Sequence, residues 1–331
     1  MKRILAFCVV LLLTACLWNG VTASAESPYS GNGTAEHPYL ISSAQELLTF
    51  AENVNKGEEY KDCWFKQTSD IDLTDIEWPT VGVFDSSHYF YGIYDGNGHA
   101  LKNLNVRKGG NNAFFGKLGG TVMNLGIESG TITGACVGSI ASHTCSSKAM
   151  IINCYNKATV NGSRAGGIAD NFNGTIANCF TDCELTTSGE KLGGIISYDA
   201  MAVIRCVSVE KNGRSTVMPD GCTVMNPETG AKELAETMNK NLFYSAQVTG
   251  IPYESLNFWT VSDDGKSIVL SQEKAAVSLR YGGAFLRSLL GKIFPYGVLL
   301  LAVAGVAFVM IKATKKPEKA DAKEETETKK D

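Results

Sequence analysis

One short pattern restricts the fold of this chain more than any other feature: an apolar residue, any residue, Asn, then Leu or Cys. It reads Leu101-Lys102-Asn103-Leu104, Val122-Met123-Asn124-Leu125, Ile151-Ile152-Asn153-Cys154 and Ile176-Ala177-Asn178-Cys179. Val203-Ile204-Arg205-Cys206 follows, with Arg in the place of Asn. From Asn103 the steps are 21, 29, 25 and 27 residues. A second pattern runs out of phase with the first. It comprises Phe114-Phe115-Gly116, Gly138-Ser139-Ile140-Ala141, Gly166-Gly167-Ile168-Ala169 and Gly193-Gly194-Ile195-Ile196. Two interleaved patterns on one drifting period mean one structural unit per step, each stacked on its neighbours.

The spacing inside the unit carries geometry. Apolar residues stand two before and one after the Asn position, a gap of three. A straight strand returns to one face every second residue, so the chain must bend at Asn. Asn tolerates the left-handed backbone region such a bend needs. Short strands joined by bends, with glycines at other corners, describe the coil of a parallel β-solenoid with like residues stacked about 4.8 Å apart. Leu104, Leu125, Cys154, Cys179 and Cys206 are then expected in one interior column. Asn103, Asn124, Asn153 and Asn178 are expected as a side-chain ladder at the bend. A leucine-rich repeat shares the period. However, its Asn falls elsewhere, it has no place for the Gly-Gly-Ile segments, and no helix follows each strand here.

The opening Gly31-Asn32-Gly33-Thr34-Ala35-Glu36-His37-Pro38-Tyr39-Leu40-Ile41 resembles that of bacterial surface proteins with GLUG-motif repeats. So do Thr68-Ser69-Asp70-Ile71-Asp72-Leu73 and Asp95-Gly96-Asn97-Gly98-His99, and the repeats complete the likeness over roughly residues 31–270. The resemblance implies an all-β fold, a right-handed parallel β-helix displayed on cells. It is similar to non-catalytic repeats found beside zinc metallopeptidases that cleave immunoglobulin A. The four histidines (His37, His88, His99 and His143) form no H-E-x-x-H, so that catalytic part is missing.

Solenoid ends are strand edges and need covers. Residues 26–100 read as an N-terminal cap with the first coils, and 101–225 as the repeats proper. Ser43-Ala44-Gln45-Glu46 is a capping box, and Leu47, Leu48, Ala51 and Val54 give the helix it opens an apolar stripe up to Gly57. Over 226–272 a second helix is expected from Ala231, Leu234, Ala235, Met238 and Leu242. A hairpin follows, turning at Asp263-Asp264-Gly265, and together they are expected to cap the other end.

The two termini bear on location. Lys2 and Arg3, an apolar run from Ile4 to Leu13 and Ala23-Ser24-Ala25 predict a signal peptide over 1–25. Leu13-Thr14-Ala15-Cys16 offers a competing cleavage with lipid on Cys16. Residues 273–292 read as a stalk. The charge-free run Ile293–Ile311 is long enough to span a bilayer, and Lys312, Lys315 and Lys316 orient the disordered tail 312–331 to the cytoplasm. The expected topology is a single-pass cell-membrane protein with its ectodomain outside. From Glu26 to Ala284 there are 28 acidic and 19 basic residues, a net of −9. That acidity speaks against nucleic acid and acidic polysaccharide as partners. It leaves a neutral glycan or a protein of the host or a neighbouring cell.

Candidate sites are few. Tyr89, Phe90, Tyr91 and Tyr94 form an aromatic cluster able to stack on sugar rings, or simply to pack against the first coil. Asp70 and Asp72 alternate on a strand and are a possible carboxylate site for glycoside hydrolysis or Ca²⁺, or else hold turn amides. Cys154, Cys179 and Cys206, expected in one column, read as buried thiols rather than disulfides, with Cys179–Cys183 and Cys136–Cys145 as the pairs to test for bridges. No metal, cofactor or catalytic set is expected. The sequence reads as a non-catalytic adhesion or ligand-binding protein, with a β-helix polysaccharide lyase or hydrolase and an envelope scaffold as alternatives.

Overall fold

The computed structural model describes residues 27–83, 87–209, 217 and 219–275. The expected signal peptide with Cys16, most of the stalk, the transmembrane run and the tail lie outside the described residues. Among the described residues no helix is long and apolar enough to cross a membrane.

The chain winds into a parallel β-solenoid of about six turns. Three parallel sheets of nine, seven and five strands form its walls, and an antiparallel pair, Asn257–Val261 with Ile268–Lys274, stands apart. The first sheet stacks Phe65, Tyr94, Val122, Ile151, Ile176 and Val203 in one register column. Phe115, Ala141, Ala169 and Ile196 stack in a second column, which is the Gly-x-Ile pattern of the sequence. These side chains fill the interior, where nearly all are inaccessible to water.

The corner between the first and second sheets is the repeated Asn. Its φ is 53° at Asn124, 56° at Asn153, 48° at Asn178 and 54° at Arg205, all left-handed. Asn153 Nδ2 donates to Asn124 Oδ1 at 2.8 Å, and Asn178 Nδ2 donates to Asn153 Oδ1 at 2.9 Å. The rung below is Asp95, whose Oδ1 accepts from Asn124 Nδ2 at 2.8 Å. Asn103 also has a left-handed φ, 57°, but it is not part of this ladder. Leu101 pairs with Ile127 in the second sheet and Leu104 with Gly130 in the third, so Asn103 turns the following corner. There its Nδ2 donates to Asp72 Oδ1. This corrects the expected ladder and removes Leu104 from the interior column. The short first step of 21 residues came from matching two different corners.

The interior column beyond the Asn corner follows Leu125 with cysteines. Cys206 pairs directly with Cys222, and the neighbouring pairs Gly126–Tyr155, Tyr155–Phe180 and Phe180–Val207 align Cys154, Cys179 and Cys206 below it. None of the eight cysteines from Cys63 to Cys222 forms a disulfide. Cys154, Cys179 and Cys206 each point Sγ at carbonyl oxygens of the coil wall, the closest being Cys154 to Ile152 O at 3.3 Å. Burial pushes the thiols of Cys179 and Cys206 well above their ordinary range, and that of Cys222 up to about 12.

Helix α1 (Ala44–Asn55) closes the N-terminal end. Ser43 caps it by accepting from Glu46 N–H, while Glu46 Oε2 accepts from Ser42 N–H at 2.7 Å. The buried stripe is Leu47, Phe50, Ala51 and Val54, so Phe50 takes the place expected for Leu48. The Phe50 ring lies 4.8 Å from Phe65, 5.2 Å from Phe90 and 5.7 Å from Tyr94, plugging the first coil.

Helix α2 (Ala231–Thr249) and the hairpin do not cap the far end as expected. They lie along the flank, against the outer faces of the first two sheets. Met123, Ile152 and Ala177, the outward residues just before each Asn, are buried with Leu242, Ala246 and Leu256. Tyr155, Phe180 and Val207, just after the column position, are buried with Leu234, Met238 and Trp259. A strand apolar on both faces needs a second cover, and the flank unit supplies it. The Asn ladder is the seam: Asn257 N–H donates to Asn124 Oδ1, Asn153 Nδ2 donates to Asn257 O, and the Trp259 indole donates to Asn153 Oδ1 at 2.7 Å. Gly98 makes close docking possible, since a Cβ there would stand 2.3 Å from the Ser271 carbonyl oxygen.

Two outcomes follow from this packing. Asn153→Ala strands the Trp259 indole and the Asn257 carbonyl, which should cost about 2–3 kcal/mol in urea unfolding. Amide exchange should then rise in 257–274 before it rises in the coils. Native protein near neutral pH should leave Cys154, Cys179 and Cys206 unlabelled by iodoacetamide, with reaction appearing only on unfolding; labelling at the native rate of an exposed thiol would contradict the buried column.

Candidate functional site

Docking of the hairpin beside the second sheet creates an open cleft of about 760 Å³. Its floor is the outer face of the second sheet and its far wall is the segment from Ser262 to Gln272. Because the strands are parallel and in register, one outward position repeats in each coil. Pairing of Asp72 with Lys102, then of Leu101 with Ile127, Ile127 with Asn156 and Asn156 with Thr181, sets Asp72, Lys102, Glu128, Lys157 and Asp182 in one file. Charge alternates along that file, so each rung attracts both neighbours. All but Asp72 line the cleft, joined by Asp263, Asp264 and Lys266 from the hairpin turn.

The charges are engaged with one another. Glu128 Oε1 accepts from Lys157 Nζ at 3.0 Å and its Oε2 accepts from the Tyr155 hydroxyl at 2.6 Å. Lys157 also stands 5.3 Å from the centroid of the Tyr155 ring. Burial, with Glu128 beside it, raises the Tyr155 phenol far above its usual range. Asp182 Oδ2 accepts from Ser267 Oγ at 2.7 Å, tying the hairpin to the floor.

Asp70 lies at the mouth of this cleft. Its Oδ1 accepts from Ala100 N–H at 3.0 Å, with His99 Nδ1 at 3.5 Å, and its Oδ2 faces Lys102 Nζ at 2.9 Å. Although burial opposes it, the Ala100 amide and Lys102 hold the Asp70 carboxyl below the usual range. Burial lowers His99, against the pull of Asp70. Asp72 is fully exposed and lies outside the cleft. Hydrogen bonds from Asn103 Nδ2 and from the Thr74 hydroxyl and amide hold its carboxyl below the usual range. Each of the two carboxylates thus binds the next coil or the next turn, and both are set to be ionised rather than to donate a proton.

The aromatic cluster divides. Phe90 and Tyr94 point into the core, where Phe90 stacks on Phe115 at 5.5 Å and the Tyr94 hydroxyl donates to Gln67 Oε1 at 3.1 Å. They cannot serve as a sugar platform, because both are fully buried. Tyr89 faces Lys117, 5.0 Å from the ring centroid. Tyr91 lines a separate recess of about 350 Å³ with Lys61, Asp62, Thr121 and Lys148. Burial and contact with Cys145 push its phenol up to about 12. The cleft residues Glu128, Lys157 and Asp182 were not singled out from the sequence. The signal is present as a charged residue three positions after Leu125, Cys154 and Cys179.

Among the described residues, no group of three or more His, Cys, Asp or Glu is placed to hold a metal ion. What the cleft offers is a row of fixed donors and acceptors open to solvent, suited to a polar ligand with many hydroxyls. Asp70→Asn tests its electrostatics. A carboxyl lowered on folding stabilises above its unfolded pKa, about 3.9, and loses that contribution as pH falls through the lower folded value. The variant should therefore be less stable than the parent at neutral pH, by a small margin because Asp70 is partly exposed. The gap should close in acid thermal melts below the ordinary carboxylate range.

No known family model matches the chain. A stretch of 152 residues, 42% of the chain, is 34% identical to halomucin of Haloquadratum walsbyi and amounts to 2% of that protein. A stretch of 141 residues, 39% of the chain, is 30% identical to an Evansella cellulosilytica protein provisionally named a Gly-rich membrane protein, 15% of whose length it covers. The chain thus spans a small fraction of the curated relatives it matches. Among solved structures, a Bacteroides ovatus protein provisionally named an immunoglobulin A1 protease aligns over 74% of this chain and 95% of its own. The identity is 18% and the TM-score 0.48.

Proposed function

We propose that this chain is a membrane-anchored extracellular repeat protein whose right-handed solenoid carries a non-catalytic binding cleft for a neutral glycan. The observation that carries the reading is the alternating file Lys102, Glu128, Lys157 and Asp182 on the cleft floor. Such a row presents donors and acceptors at the strand repeat while its charges cancel locally, which suits hydroxyl-rich, uncharged ligands. The net acidity of the ectodomain disfavours anionic polymers. Surface display is supported by the sequence of both termini and by the printed names of the two relatives, one of them a membrane protein. The GLUG-like order of motifs belongs to the same reading.

A non-catalytic role is supported by how the carboxylates are used. Asp70 and Glu128 each commit both oxygens to neighbours, and inverting or retaining hydrolysis needs one carboxyl free to give a proton. Purified protein on an array of neutral glycans and mucins should be retained saturably, with no sugar released. Lys157→Ala should weaken retention roughly tenfold, the worth of one charge-assisted hydrogen bond, measured below a melting temperature that also falls because Glu128 loses its ion-pair partner. Released product would overturn the non-catalytic reading. Retention that Lys157→Ala leaves unchanged would move the ligand away from the cleft.

A further inference from the structure

Where the hairpin meets the solenoid, an amine, a carboxamide and a carboxylate converge in a largely apolar setting. Lys274, the last residue of its strand, stands directly opposite Asn257, the first of the other. Lys274 Nζ lies 2.8 Å from Asn257 Oδ1, 3.1 Å from Asp95 Oδ2 and 3.0 Å from the Ser255 carbonyl oxygen. Asn257 is fully buried and Asp95 is 6% exposed. Leu256 and Phe258, which flank Asn257, and Ala275, which follows Lys274, belong to one apolar cluster with Met123, Trp64 and Ile93.

Hydrogen bonds fix Asp95 and Asn257, while the Lys274 side chain stays 30% exposed. Asp95 Oδ1 accepts from Asn97 N–H and Asn124 Nδ2, both at 2.8 Å, which leaves Oδ2 for Lys274. Asn257 is pinned through its backbone to Asn124 and Asn153, and its Nδ2 donates to Ser271 O at 2.8 Å. Positioning of this kind converts a sluggish bimolecular aminolysis into a unimolecular one. Burial also pulls the Lys274 ammonium below its ordinary range, toward the nucleophilic free amine, against the charge of Asp95.

We propose that Lys274 and Asn257 join in an intramolecular isopeptide bond, with Asp95 as the proton carrier. Asp95 Oδ2 takes one proton from the Lys274 ammonium. The freed lone pair attacks Asn257 Cγ as the carboxamide turns about its soft χ2, which releases Ser271 O, presents the face of Cγ to Nζ and swings Nδ2 to the side of Asp95. Asp95 returns its proton to Nδ2, the Cγ–Nδ2 bond breaks with its electron pair going to nitrogen, and ammonia departs. The second proton lost by the amine converts the departed ammonia to ammonium in solvent. The balance is one ammonium side chain and one carboxamide giving one secondary amide and one ammonium ion, with nothing oxidised or reduced. The new amide N–H replaces the ammonium as donor to Asp95. The product staples the open end of the strand pair, so that tension on the chain beyond Ala275 is borne by a covalent bond rather than by the terminal hydrogen bonds.

Peptide mass mapping of the purified full-length chain tests this directly. The expected result is a peptide carrying residues 257 and 274 in one linked species, lighter by one ammonia than its two parts, and resistant to trypsin at Lys274. Lys274→Arg, which keeps the charge facing Asp95, should show the unreduced mass, as should Asp95→Asn. Separate, unmodified peptides containing Asn257 and Lys274 from the parent protein would overturn the proposal and leave an ordinary buried ion pair. A species lighter by one water and linked through Asp95 would equally overturn the assignment to Asn257.

Discussion

The left-handed corner at Asn124, Asn153 and Asn178 is the constraint on which the remaining structure depends. It turns the chain from the first sheet to the second at a φ that few residues accept, and repeats that turn at each coil. The amide that makes the corner tolerable also links each coil to the next, Asn153 to Asn124 and Asn178 to Asn153. Arg205 closes the series with the same backbone and no carboxamide. Backbone preference and side-chain satisfaction are met by one residue type.

The same ladder decides where the C-terminal unit docks. A stacked file of amides along a flank has spare donors and acceptors, and burying them unpaired would be costly. Ser255, Asn257 and Trp259 meet that need from outside, while the apolar residues on either side of the corner supply the adhesive surface. From this docking come both the cleft beside the second sheet and the close approach of Lys274 to Asp95. The cleft and the Lys274–Asp95 pair are thus both products of a single seam.

Parts of this were legible in the residues alone. The Gly-x-Ile pattern aligned correctly because Phe115, Ala141, Ala169 and Ile196 share one corner. Leu101-Lys102-Asn103-Leu104 was misaligned because Asn serves two corners of the coil, and a local pattern does not say which. The flank unit left a trace that went unread. Met123, Ile152, Ala177 and Ile204 form an apolar row at one outward position just before the corner, and a solvated wall has no use for such a row. The aromatic run from Tyr89 to Tyr94 reads as a single surface in sequence, but the fold buries Phe90 and Tyr94 in the core and leaves Tyr91 to line a recess.

By itself the sequence determined the repeat, the parallel coil, the bend at Asn, the N-terminal helix and the buried thiols. These are local or nearest-neighbour properties, written at fixed spacing within a coil and copied to the next. Only the tertiary structure decided that α2 and the hairpin return along the flank, that Lys102, Glu128, Lys157 and Asp182 line one cleft, and that Lys274 reaches Asp95. Those contacts join residues up to 179 positions apart. They depend on which outward faces are covered together, a property of the assembled surface that no single repeat contains.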